Sequence, residues 1–84
     1  MKAGDMVNLN DLVYDFDRFC KTVRVIKIIK ITPNIALLSN KVRINRKITK
    51  LTFSNRLCVT GYGNINIYLV EKPVIPEDFK EIII

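Results

Sequence analysis

The side chains most able to do chemistry in this sequence are the lysines and arginines of its central segment, residues 18–70. That segment holds 11 of the 14 Lys and Arg residues and none of the eight Asp and Glu residues, so its formal charge is +11. Four of the acids precede it and four follow it. A basic surface of this kind attracts phosphate groups through counterion release, without any readout of base sequence.

Ten residues of this segment are candidates for contact with nucleic acid. The charge is densest in residues 41–47, where Arg43 is predicted to lie on the outward face of a strand. Proteins that bind single strands also need exposed aromatic rings on which bases stack. Tyr62, at a glycine-flanked tip, and Tyr68, predicted to face outward from an alternating strand, are the candidate stacking residues, whereas Phe53 is predicted to be core. The ten candidates are Arg24, Lys27, Lys30, Lys41, Arg43, Arg46, Lys47, Lys50, Tyr62 and Tyr68.

The other residue types argue against an enzyme. The chain has no His, so no Ser or Cys has the base partner of an activated nucleophile. The tip at residues 61–63 lacks the lysine and the helix of a phosphate-binding loop. We therefore expect no catalytic residues.

A metal site or a cofactor is not expected either. Asp11, Asp15 and Asp17 lack the glycine and the terminal glutamate of an EF-hand calcium loop. Cys20 and Cys58 are too few for a zinc site without histidine. They are predicted to be two buried, reduced thiols, with a single disulfide between them as the alternative.

Strand patterns dominate the chain. Residues 22–32 give the clearest strand, and its apolar residues on both faces predict a bent strand that contributes to two packed layers, with a bulge near residues 26–28. A short first strand is predicted at residues 7–9. Further strands are predicted at 35–38, 41–45, 48–53, 56–60 and 65–69.

Two segments are open to more than one interpretation. Apolar residues in 10–21 recur at spacings of three and four, which fits a short helix, but a long loop that tucks Phe16 and Phe19 onto the body is favoured. A second short helix could begin at Pro76 and extend over 76–81. The apolar end, Ile82 to Ile84, either adds a strand to its own barrel, which is favoured, or docks on a second subunit as a homo-oligomer.

A resemblance agrees with the strand pattern. The opening of the chain resembles the K-x-G-D-x-V start of small SH3-like barrels, including KOW-type domains, in the residues Lys2-Ala3-Gly4-Asp5-Met6-Val7. The chain is also similar to short phage-encoded proteins of unknown function. We therefore expect an all-β, SH3-like barrel of five to seven short strands in residues 1–72, followed by an acidic and apolar extension in 73–84.

The expected function is that of a small, basic, non-enzymatic binding module that contacts nucleic-acid phosphates. The alternative is a phage or plasmid protein-interaction module that docks on an acidic host protein or self-assembles. No membrane-spanning or targeting segment is visible, and a cytoplasmic location is expected. The acidic tail, residues 71–84, could also lie across the basic surface and compete with a phosphate ligand.

Overall fold

The computed structural model describes residues 1–51 and 54–84, and within these ranges the chain forms eight strands and no helix. The described residues thus include no helix capable of spanning a bilayer. Phe53, predicted to be core, lies outside the described residues. The strands are β1 Leu12–Asp17, β2 Thr22–Ile31, β3 Ile35–Leu38, β4 Arg43–Asn45, β5 Thr49–Lys50, β6 Leu57–Thr60, β7 Ile67–Leu69 and β8 Lys80–Ile83.

The strands form a curled sheet with a barrel-like shape. Their order is β4-β3-β2-β1-β7-β6-β5, with antiparallel neighbours throughout, while β8 pairs with β2 off this path. A bridge between Ile44 and Gly61 brings β4 to the end of β6 and so draws the two sides of the sheet together. The predicted all-β class is confirmed, and the shape fits an SH3-like barrel at a coarse level.

Strand β2 is the longest strand of the sheet and packs in two layers. Its Val- and Ile-rich sequence favours extended backbone, and its ten residues contact three other strands. The register with β3 shifts between Ile28 and Lys30, which places a bulge slightly beyond the predicted position. A bulge bends a strand locally, which agrees with the bent strand that the sequence predicts here.

The main core fills the concave side of the curled sheet. Ile26 and Ile28 of β2 are fully buried there. They pack in one cluster with side chains from β1, β3, β4, β6 and β7 and from segments beside the strands, among them Val7, Val13, Ala36, Leu38, Ile44, Ile48, Val59, Tyr68 and Val70.

A second cluster lies on the opposite face of the sheet. Val23 and Val25 of β2 pack there with Tyr14, Cys58 and Leu69. The cluster is covered by Phe16, whose ring stacks on Phe79 with centroids 4.9 Å apart, and by Leu51 and Ile75. Strand β2 therefore contributes to two packed layers, which confirms the prediction made from its two apolar faces.

Residues 7–21 are arranged differently from the prediction. The predicted first strand at 7–9 is wrong, because this segment forms no ladder with the sheet. It is joined to the residues around Arg46 by the bridge from Met6 to Lys47 and by a hydrogen bond from Val7 N to Arg46 O. Residues 12–17 form β1, which pairs with β2 over six residues, so both the loop and the helix interpretations of 10–21 are wrong. Phe19 is fully exposed in the turn that follows.

The opening motif forms a tight turn beside the barrel. Lys2 N donates to the Asp5 carboxylate at 3.0 Å, and Gly4 adopts a positive φ of 95° that favours glycine. Gly4 N donates to Ile48 O, and Ile48 N donates to Asp5 O, so the turn is fixed to the segment before β5. Val7 then enters the main core.

The C-terminal segment adds a strand to its own sheet, as favoured. Strand β8 runs parallel to the first half of β2, with Thr22 opposite Lys80 and Val25 opposite Ile83. The predicted helix over 76–81 is wrong, since residues 77–78 form only a turn before β8. Two ion pairs hold the segment, Lys21 to Asp78 at 3.1 Å and Lys72 to Glu81 at 3.2 Å.

The two cysteines differ in environment. Both are free thiols, and Cys58 is buried in the second cluster as predicted. Cys20 is exposed in the turn between β1 and β2, so the prediction that both thiols are buried is wrong for this residue.

The Asp17 carboxylate caps this β1–β2 turn with two hydrogen bonds. It accepts these bonds from the backbone N–H groups of Cys20 and Phe19, and the bond from Cys20 is the main cause that lowers the pKa of Asp17 below its ordinary 3.8. A carboxyl with a lowered folded-state pKa stabilises the fold above its unfolded pKa, and this contribution is lost as the pH falls through the folded value. An Asp17→Asn variant keeps an acceptor but does not titrate.

We therefore expect wild type to lose more stability than Asp17→Asn when the pH is lowered from about 5 to about 2.5, around the ordinary carboxyl pKa. Urea unfolding at a series of pH values measures the difference, and the other acids cancel in the comparison. Parallel curves for the two proteins would show that this carboxylate does not contribute.

Candidate functional site

Lys30 and Arg43 lie in one row on the outer face of the barrel. Lys30 is opposite Leu37 in the pairing of β2 with β3, and Leu37 is opposite Arg43 in the pairing of β3 with β4. Directly opposed residues of antiparallel strands project to the same side of a sheet. The neighbours Ala36 and Ile44 point into the core, so this row points outward. Two strand spacings put the backbones of the two basic residues about 10 Å apart.

Arg43 also pairs with an exposed aromatic ring. Its guanidinium carbon lies 5.9 Å from the centroid of the Tyr62 ring, within the range of a cation–π contact. The backbone adds a second link, because Tyr62 N donates to Arg43 O at 2.9 Å. Tyr62 is 50% exposed, so part of its ring is open to a ligand. Tyr62 therefore has an exposed ring, as a stacking residue requires.

Gly61 leaves room for the Asn64 side chain in the tip that carries Tyr62. An added Cβ at Gly61 would lie 1.9 Å from Oδ1 of Asn64, a distance that no side chain tolerates without movement. That oxygen accepts a hydrogen bond from Asn66 N at 2.9 Å. On the β4 side, Asn45 Nδ2 donates to Thr60 Oγ1 at 3.1 Å. These bonds hold Tyr62 beside Arg43.

Lys27 and Lys41 flank this row. Lys27 is exposed, and it projects outward because its neighbours Ile26 and Ile28 are in the core. Its carbonyl accepts a hydrogen bond from Ser39 N, in the β3–β4 turn that also contains Lys41. Lys41 is exposed at a positive φ of 72°. The five residues Lys27, Lys30, Lys41, Arg43 and Tyr62 are named the outer basic surface below.

Two of the predicted arginines serve the fold instead. The Arg46 guanidinium donates three hydrogen bonds, from Nε to Val7 O at 3.0 Å, from Nη1 to Thr32 O at 2.8 Å and from Nη2 to the Asn8 side chain at 3.1 Å. Arg24 is paired with Asp15 across β1 and β2, with Nε 3.1 Å from Oδ2. Both guanidiniums are thus oriented by partners within the fold rather than by the outer basic residues.

Tyr68 is the clearest error among the candidate residues. It was predicted to face outward as a stacking platform, but it is only 2% exposed and belongs to the main core. Burial raises the pKa of Tyr68 above its ordinary 10, and the nearby charge of Asp15 raises it further. Tyr68 is therefore a neutral core side chain at physiological pH.

The last two candidates lie apart from the outer basic surface. Lys47 is exposed at the bridge to Met6. Lys50 of β5 lines a cavity of about 430 Å³ together with Lys2, Arg56 and Lys72. These three cavity residues were missed, because Lys2 and Lys72 lie in the acidic ends of the chain and only the fold brings them beside β5.

The described residues contain no group of three or more His, Cys, Asp and Glu side chains that could hold a metal ion. Searches against protein-family models, curated proteins and solved structures found no match to the chain. A function for the chain therefore has to be inferred from the geometry of its basic residues.

Proposed function

We propose that this protein is a non-enzymatic module that binds single-stranded nucleic acid through the outer basic surface. The observation that carries the proposal is the Arg43–Tyr62 pair, in which a cation and a half-exposed ring lie side by side next to Lys30. Among the described residues, no carboxylate forms an ion pair with any of the four cations of this surface. These cations are thus available to phosphates.

A single strand fits this arrangement better than a duplex. Phosphates along a strand can neutralise the row of cations, while an unpaired base stacks on the open part of the Tyr62 ring. Bases in a duplex are already stacked and would leave the ring without a partner. The likeness of the opening motif to KOW-type barrels is in keeping with this proposal.

Fluorescence anisotropy with labelled single-stranded and duplex oligonucleotides at several salt concentrations tests the proposal. If four cations contact phosphates of a single strand, the logarithm of the binding constant should fall with the logarithm of salt concentration with a slope of about −3. The single strand should bind more tightly than the duplex. Absence of binding at low salt, where attraction to phosphates is strongest, would contradict the proposal.

That negative result would favour a protein-interaction module, phage-encoded or plasmid-encoded, as the second candidate. One observation supports this alternative: β8 pairs only with β2 among the described strands, and its Ile83 is 80% exposed. An open strand edge with an exposed apolar side chain is suited to strand addition by another chain or by a second copy.

A further inference from the structure

The cavity beside β5 concentrates positive charge from three separate parts of the chain. Its walls include Lys2 from the opening turn, Lys50 and Arg56 from the β5–β6 hairpin, and Lys72 from the segment after β7. Glu71 is the single acid among its lining residues, so the side chains carry a net charge of +3. Like charges repel, and their convergence on one concave site suits an anionic ligand.

The backbone fixes where each of these cations starts. The turn that contains Lys2 is fixed by the bonds of Asp5 and Gly4 described above. Lys50 is opposite Leu57 in the β5–β6 pairing, and Leu51 N donates to Arg56 O at 2.8 Å. Lys72 forms an ion pair with Glu81, whose Oε1 lies 3.2 Å from Nζ. In the described part of the chain, the other three cations have no carboxylate partner.

A second cavity of about 260 Å³ adjoins the first. The two share Arg56 and Leu69 as lining residues, and the second is lined by apolar side chains, Phe16, Leu51 and Ile67 among them. Arg18 also lines it, with its guanidinium carbon 6.0 Å from the Phe16 ring centroid. A ligand with a phosphate in the first cavity would therefore have space for an attached organic group in the second.

We propose that the first cavity binds a terminal phosphate, a phosphomonoester whose attached group lies over Phe16 and Leu51. A phosphomonoester carries a charge of about −1.5 to −2 at neutral pH and three acceptor oxygens, whereas a phosphate within a strand carries −1. A doubly charged group is the better match for three or four converging cations. The phosphate could belong to the end of a nucleic-acid strand or to a small phosphorylated compound. The first source rests on the proposed function, and the second is independent of it.

Two measurements separate these sources. Titration calorimetry with inorganic pyrophosphate tests the cavity directly. Anisotropy with 5′-phosphorylated and 5′-hydroxyl oligonucleotides of the same sequence, at the same salt, tests the strand end. We expect pyrophosphate to bind and the phosphorylated strand to bind about tenfold more tightly than the hydroxyl strand, the value of one good charge-assisted contact.

An Arg56→Gln variant should lose pyrophosphate binding and bring the ratio between the two strands close to one. Lys72→Gln is a second variant at the same cavity, should Arg56→Gln fail to fold. The matched control is Arg43→Gln on the outer basic surface, which should weaken both strands equally and leave their ratio unchanged. Glu81→Gln should strengthen pyrophosphate binding, because it frees Lys72 from its ion pair.

Each outcome bears on one proposal or the other. Pyrophosphate binding without a preference for the phosphorylated strand would support the cavity and assign it to small phosphorylated compounds. Pyrophosphate binding by a protein that binds neither strand would support the cavity and contradict the proposed function. A strand ratio near one together with no pyrophosphate binding would overturn the cavity proposal, whatever the affinity for strands.

Discussion

An Arg43→Glu variant should bind a single-stranded oligonucleotide at least about 30-fold more weakly than wild type at the same salt, a change of about 2 kcal/mol. The substitution removes a cation that faces the phosphates, introduces a charge that repels the strand, and takes the guanidinium from the face of Tyr62. The slope of affinity against salt should also become shallower, by about 0.7 for each phosphate that the protein no longer neutralises. Anisotropy titrations of both proteins over a range of salt concentrations measure both effects.

Lys80→Glu is the matched control for this experiment. It produces the same change of net charge, but Lys80 lies opposite Thr22, eight residues along β2 from Lys30, or about 26 Å away. We expect it to reduce affinity only slightly. Equal losses in the two variants would mean that net charge alone attracts the strand, and the assignment of the outer basic surface would be wrong.

Arg46→Met should destabilise the fold by about 3 kcal/mol, since the side chain can no longer donate its three hydrogen bonds and their acceptors are left without a charged donor. The effect should appear in urea unfolding as a lower midpoint with an unchanged slope. Arg46→Lys should recover little of the stability, because an ammonium group cannot reach Val7, Thr32 and Asn8 with the fork of a guanidinium.

Lys47→Met is the adjacent control. Because Lys47 is exposed, this substitution should change the unfolding free energy by less than about 0.5 kcal/mol. The folded Arg46→Met protein should bind oligonucleotides nearly as well as wild type. A stable Arg46→Met protein without affinity for strands would return Arg46 to the binding surface and refute the structural role.

The different roles of Arg43 and Arg46 could not be predicted from the sequence. Both belong to the densest basic run, so the sequence predicts the same role for them. The two side chains differ in their contacts. Arg43 lies beside the exposed ring of Tyr62, whereas Arg46 donates to two backbone carbonyls and to an amide side chain. These partners come from positions up to 39 residues away in the chain, and no local pattern encodes them.

The second apolar cluster explains two wrong predictions, the failure to recognise β1 as a strand and the outward orientation of Tyr68 in β7. In β1, Val13 packs in the main core, while Tyr14 and Phe16 of the same strand pack on the opposite side of the sheet. Tyr68 and Leu69 are divided in the same way. A strand covered on both faces lacks the simple alternation of a half-buried strand. Alternation therefore placed Tyr68 outward and left β1 unrecognised.

The predictions held where a strand pattern was strong and local. Val- and Ile-rich stretches bounded by the turn at Pro33 predicted the length of β2 and its hairpin with β3. They also predicted that β2 packs in two layers. The apolar residues Ile82 to Ile84 likewise indicated a strand before its partner was known. The barrel-like closure and the basic cavity depend on long-range pairing, which composition and spacing do not specify.

The pairing of β8 with β2 has a consequence for the kinetics of folding. Thr22 and Lys80 are neighbours in the sheet although 58 residues separate them in the chain. At about 5–20 residues per second, synthesis takes about 3–12 s to go from one to the other. During that interval the edge of β2 at residues 22–25, rich in valine, has no strand to cover it. Parallel pairing between distant segments is also slow to form. Until β8 is made, this edge of β2 is therefore open to pairing with another chain.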